Sequence, residues 1–157
     1  MDRTNTAFDE FFETVGTKVR RALVSAYGIE VGTEAAADAM LEAWHRWPGI
    51  ASMANPAGYL FRVGQSRSRR HLRWRRRNQP FSATEVAPDR VDRAELMDMF
   101  RGLDQLTPIQ RSAVLLTRAY GLSYAEAAEV LGVTESALTN HIHRGTKRLR
   151  ELLEVSP

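Results

Sequence analysis

Apolar side chains recur every three or four positions through most of this chain, and no stretch alternates with a period of two, so the pattern predicts helices and no strands. Phe8, Phe11, Phe12, Val15, Val19, Leu23 and Tyr27 keep that spacing over Thr6 to Tyr27, with a bend expected at Gly16 and a stop at Gly28. Thr33 is the expected cap of a second helix that buries Ala36, Met40, Ala43, Trp44 and Trp47 and stops at Pro48. Asn55 and Pro56 have the cap and first-position chemistry of a third, running to about Arg77 with Leu60, Val63 and Gly64 inward. Asn78 to Arg90 has two prolines and no helical period and reads as a flexible linker. Beyond it a helix is expected over about Val91 to Leu103, with Leu96, Phe100 and Leu103 inward. Another starts at Thr107 and Pro108, buries Ile109, Ala113, Leu116 and Tyr120, and ends at Gly121.

The most specific pattern is the last. Ser123 and Glu126 form an S-x-x-E capping box, which starts a helix at Tyr124 and buries Ala127, Ala128 and Leu131. Gly132 can take the left-handed conformation that ends it, and Thr134 offers a hydroxyl to cap the next, with Glu135 at the positive end of that helix's dipole. Two helices joined by Gly132, Val133 and Thr134 have the spacing of a DNA-binding helix-turn-helix. In the second of them Leu138, Ile142, Gly145, Leu149 and Leu152 share one face. Ser136, Asn140, His143 and Lys147 share the other, flanked by Arg144 and Arg148. Short polar groups that reach base edges, followed by cations that meet phosphates, suit a helix lying in the major groove.

Charge adds a second nucleic-acid signature. The net charge is only +3, but residues 1–57 carry 5 basic and 8 acidic side chains, residues 58–77 carry 8 Arg and no acid, and residues 78–157 carry 9 basic and 11 acidic. One segment of twenty residues therefore holds the whole excess, which is the footprint of a polyanion site. On the predicted third helix Tyr59, Arg62, Ser66, Arg69 and Arg73 step along one face, and Tyr59 and Trp74 offer rings for unpaired bases, whereas Phe61 is expected in the core. Glu34, Asp38 and Glu42 make an acidic stripe on the second helix, either a solvated face or a docking surface for a basic partner.

Other classes lose ground. Cysteine is absent, which excludes disulfides and thiolate metal sites and suits a cytoplasmic protein. No apolar run has the length of a membrane span, and the amino terminus lacks a signal-peptide pattern. His45, His71, His141 and His143 do not fall at metal-ligand spacing, His141 being expected as a partly buried helix residue, and no nucleophile or phosphate-loop motif appears. No enzyme, cofactor or metal is expected. The predicted fold is all-α: two small helical domains joined by a flexible linker, the second a helix-turn-helix of winged-helix type without the wing.

These residues resemble a family. AFDEFFETVGTKVRRALVSAYG, DAMLEAWHRW, NPAGYLFRV with the Arg run, and LTPIQRSAVLLTRAYGLSYAEAAEVLGVTESALTNHIHRGTKRLREL are similar, in order and spacing, to bacterial sigma factors of the extracytoplasmic-function group. The resemblance implies a region 2-like domain over 1–77, a linker over 78–91 and a region 4-like domain over 92–157. It implies docking on the beta-prime clamp and beta flap of core RNA polymerase, with Asp38, Leu41, Glu42 and His45 at the clamp, and an anti-sigma factor as a candidate partner. Asn55, Tyr59, Arg62, Ser66, Arg69, Arg70 and Arg73 would hold the melted minus-ten element of promoter DNA. Thr134, Ser136, Asn140, His143, Arg144, Lys147 and Arg148 would lie in the minus-thirty-five element. Ser66, Arg70 and Leu41 depart from the Asn, Asp and Gln that many members carry. The alternative reading is a stand-alone helix-turn-helix regulator acting without polymerase.

Overall fold

Five consecutive positions, Ala22 to Ala26, are buried in the helix α2 (Thr17–Tyr27), so its second half is enclosed on every side rather than amphipathic. It is the axis on which both halves of the chain pack. The computed structural model describes residues 3–75 and 101–154, and for residues 4 and 73–75 only the backbone. Helix α1 (Arg3–Phe11) runs into α2 through a π-helical segment, Phe12–Gly16, so the bend expected at Gly16 is a widened turn that ends at that residue. Helices α3 (Ile29–His45) and α4 (Pro56–Arg75) complete the first half. The second half comprises helix, α5, at 101–104 of the described residues, then α6 (Pro108–Arg118), α7 (Tyr124–Leu131) and α8 (Glu135–Glu154). Among the described residues there is no strand.

Two expectations for α3 need correction. Thr33 lies exposed inside the helix, which begins four residues earlier because Gly28, at φ 90°, closes α2 and opens α3 in one step. The immediate return brings the two backbones into contact: a Cβ on Gly32 would stand 2.4 Å from Val24 Cα. Trp44 is 46% exposed rather than buried, because the face against α2 is filled by Ala35, Ala36, Ala39, Met40 and Ala43. Small residues there let the helices approach too closely to admit an indole. Helix α4 follows expectation, with Leu60 and Phe61 fully buried and the Asn55 side chain accepting from Gly58 N at 3.0 Å.

In the second half the predicted caps form. Thr107 and Gln110 make one reciprocal capping box and Ser123 and Glu126 another. Helix α6 ends at Arg118, slightly before the expected stop at Gly121. The linker expected over 78–90, and the part of the expected Val91 to Leu103 helix that holds Leu96 and Phe100, lie outside the described residues; Leu103 is buried. One apolar core joins the halves, containing Val19, Leu23 and Phe61 from the first with Leu116, Leu131 and Leu138 from the second. A smaller cluster of Leu103, Leu106, Val114 and Leu115 sits against Leu149 under α8.

Candidate nucleic-acid interface

Helix α8 is held from its first turn. The Thr134 hydroxyl accepts from Ala137 N at 3.1 Å, which satisfies one of the amides that a helix start leaves without an internal partner. Gly132, at φ 67° and ψ 32°, turns the chain between α7 and α8. Leu138 and Ile142 are buried against α6 and α7, each burial contributing about 1.5–3 kcal/mol, and this fixes the rotation of the helix. The opposite face is thereby presented outward: Thr134, Ser136, Asn140, His143, Arg144, Lys147 and Arg148 are all exposed. Arg148 makes a long ion pair to Glu151, at 3.8 Å between exposed groups. Arg144, Lys147 and Arg148 line a shallow polar cleft with Gln105, Gln110 and Glu151. His141 is half-buried, as its place beside Ile142 suggested; partial burial and then the nearby Arg144 hold its imidazole below the ordinary value.

The second predicted surface divides in two. At the start of α4 the side chains are engaged within the protein. Asn55 Nδ2 donates to Glu129 O, in the last turn of α7, at 2.9 Å, and Arg62 Nη2 donates to Gly132 O, in the turn of the helix-turn-helix, at 3.3 Å. Tyr59 OH accepts from Arg46 Nη1 at 2.7 Å and donates to Glu42 Oε1 at 3.2 Å, so its phenol is tied to α3. Farther along, Ser66, Arg69 and Arg70 are exposed. The side chain of Arg73, Trp74 and the end of the Arg run lie outside the described residues.

The acidic stripe on α3 is spent on α4. Glu34 and Asp38 flank His71, at 3.1 Å from Nδ1 and 3.8 Å from Nε2, and Glu42 pairs with Arg46 at 3.3 Å as well as with Tyr59. Of the residues expected at the polymerase, Leu41 and His45 are exposed, while Asp38 and Glu42 take part in these bridges. The sequence reading missed Phe12, 52% exposed, and Trp44 beside them. Both pack on Phe8, with ring centroids at 6.3 and 4.9 Å, so an aromatic cluster reaches the surface one turn from Leu41. The signal was available: an aromatic residue at position 44 on a helix whose buried positions are otherwise almost all small.

Comparison with known proteins settles the family. The model of sigma-70 region 4 matches residues 96–149, the segment that contains the helix-turn-helix. Over 92% of its length the chain is 35% identical to an RNA polymerase sigma-E factor of Streptomyces avermitilis, covering 86% of that protein. The chain belongs to the RNA polymerase sigma factors, in their extracytoplasmic-function group. A shorter segment, 36% of this sigma factor, is 43% identical to the ECF sigma factor SigE of Mycolicibacterium smegmatis. The fold is shared with CnrH, solved in complex with the cytosolic domain of CnrY, at a TM-score of 0.62 and 25% identity over 99% of this chain and 92% of that one. It is shared also with the sigma factor RpoE of Bartonella quintana, solved with the anti-sigma factor NepR, at a TM-score of 0.64 and 23% identity over 97% and 99%.

Proposed function

We propose that this sigma factor directs promoter-specific initiation by core RNA polymerase through three surfaces. The outer face of α8 reads the minus-thirty-five duplex, with Ser136 and Asn140 at base edges and His143, Arg144, Lys147 and Arg148 toward phosphates. The face of α4 from Asn55 to Arg73 captures the minus-ten element once it is melted. Leu41 and His45, joined by Trp44 and Phe12, dock on the polymerase clamp, with Asp38 and Glu42 holding that surface to α4. The corresponding division is a region 2-like domain over 1–77 and a region 4-like domain over 92–157. A protein working with the polymerase is cytoplasmic, and none of the described helices is long and apolar enough to cross a membrane.

The reading rests chiefly on one observation: the capped helix-turn-helix presents a complete polar and cationic face with no core duty. Asn55 and Arg62 are bonded to the end of α7 and the turn of that same motif, so the start of the minus-ten surface is available only after the halves separate. The closed form is accordingly the one that does not initiate. An inhibitory partner that clasps both halves, as an anti-sigma factor does, is the expected regulator. Tethering two weak DNA modules on one polymerase raises effective concentration, so neither half needs to bind tightly alone.

Run-off transcription with core polymerase, the full chain and promoter fragments from its own genome tests the proposal. Initiation on a subset of fragments that share two spaced elements is expected. Transcription no greater than that of core alone on every fragment removes it.

A further inference from the structure

The seam between α2 and α6 contains a buried polar contact. Arg111, in the first turns of α6, is 8% exposed, and its guanidinium is shared between the halves. Nη1 donates to Leu103 O at 3.1 Å, within its own half. Nε donates to Ser25 O at 3.1 Å and Nη2 to Ala26 O, both in the last turn of α2. One residue on, the buried Ser112 hydroxyl donates to Ala22 O at 2.9 Å. Carbonyls in the last turn of a helix have no partner within it, and a cation there also meets the negative end of the helix dipole. Here α3 begins directly after Gly28, so α2 has no following loop to cover those carbonyls. The second half supplies the donors instead.

We propose that Arg111 is the latch of an autoinhibitory clasp, fastening the carboxyl end of α2 so that the turn of the helix-turn-helix stays against Asn55 and Arg62. The inference rests on the sigma-factor reading for its consequence, but not for the contact itself. Its logic is a difference between two states. In the closed form Ser25 O and Ala26 O are sealed from water and depend on the guanidinium; in the open form water reaches them and Arg111 alike. Removing the donors therefore penalises the closed form, whereas the open form, in which water can replace the guanidinium at Leu103 O and beside Asp104, loses less. The apolar core that the halves share supplies the undirected attraction, and Arg111 adds the directional contact that sets α6 on the end of α2. The outer ties, from Lys18 to Glu126, from Asn55 to α7 and from Arg62 to Gly132, are made by exposed or half-buried side chains and are weak on their own.

The chain has no cysteine, so Ala37→Cys on α3 and Arg150→Cys on α8, both exposed, accept a pair of spin labels without background. Distances are measured by pulsed electron resonance on the full chain. One short separation is expected with Arg111 in place. Arg111→Met is expected to raise the open, longer-distance population about tenfold or more, and Arg111→Lys, which keeps the charge but cannot span the acceptors, by less. Far-ultraviolet circular dichroism checks that helix is retained. Should Arg111→Met lose helix, Arg111→Gln, which keeps a donor but has no charge and cannot span the acceptors, replaces it. An unchanged distance with helix intact overturns the latch, as does loss of helix in both variants, which makes Arg111 a folding residue. Because the distance needs neither polymerase nor promoter, an opened Arg111→Met chain that drives no transcription supports the latch and counts against the proposed function. A chain that transcribes but never changes its distance does the reverse.

Discussion

At the scale of single residues, position on a helix separates readers of sequence from binders of charge. Asn140 is exposed on the outer face of α8, two turns in, where its amide can pair with a base edge. Asn140→Ala is expected to relax preference at one or two base pairs, costing about 1–3 kcal/mol for the favoured base. Arg69 stands on the exposed end of α4 with no base-reading geometry implied. Arg69→Ala is expected to weaken promoter binding by the polymerase complex whatever the sequence, and to reduce the salt slope by about one phosphate contact. Binding titrations at several salt concentrations on matched and mismatched promoters check both, and equal effects of the two variants on all sequences would refute the division of roles. That α8 has such a face was legible in the chain, because the spacing of Leu138, Ile142 and Gly145 fixes which residues face away. The engagement of Asn55 and Arg62 was not legible. Their acceptors, Glu129 O and Gly132 O, are backbone atoms 74 and 70 positions distant, and no local pattern names a carbonyl as a partner.

At the scale of elements, the helix-turn-helix depends on its punctuation. Gly132 sits in the left-handed region, which costs other residues about 1–2 kcal/mol. Gly132→Ala is therefore expected to destabilise the chain by about that amount in denaturant unfolding, and Ser123→Ala, which breaks the capping box, by about 1 kcal/mol. No change in the midpoint for either variant would mean that the α7 boundaries contribute nothing to stability. These boundaries were readable because a cap involves residues three apart. Helix α3 shows where such reading fails. Thr33 has cap chemistry, yet the start of the helix was decided by the tight crossing of Gly32 over Val24, a contact between two helices. The same crossing, lined with alanines, turned Trp44 outward.

At the scale of the whole molecule, the two halves form one folded unit around α2, and its stability is coupled to pH across the seam. The Ser123 hydrogen bonds, and then Lys18 of α2, hold the Glu126 carboxyl below the usual value. A carboxyl whose folded pKa lies below its unfolded one contributes stability that is complete above the unfolded value and is lost as pH falls through the folded value. Acidification through the carboxylate range is thus expected to loosen the α7 cap and its tie to α2 together. The acid side of the curve of thermal midpoint against pH should be shallower in Glu126→Gln. Superimposable acid limbs for the two proteins would show that Glu126 carries none of the dependence.

The sequence by itself determined the helical class, the caps of α4, α6, α7 and α8, the inward and outward faces of α8 and the family, since each depends on side-chain chemistry repeated within a turn or two of helix. The tertiary structure alone decided that α2 is enclosed from both halves, that Arg111 spans them, and that the start of α4 is covered by the helix-turn-helix. Those outcomes follow from burying apolar surface and satisfying backbone carbonyls between segments far apart in the chain, where periodicity carries no information about which surfaces will meet.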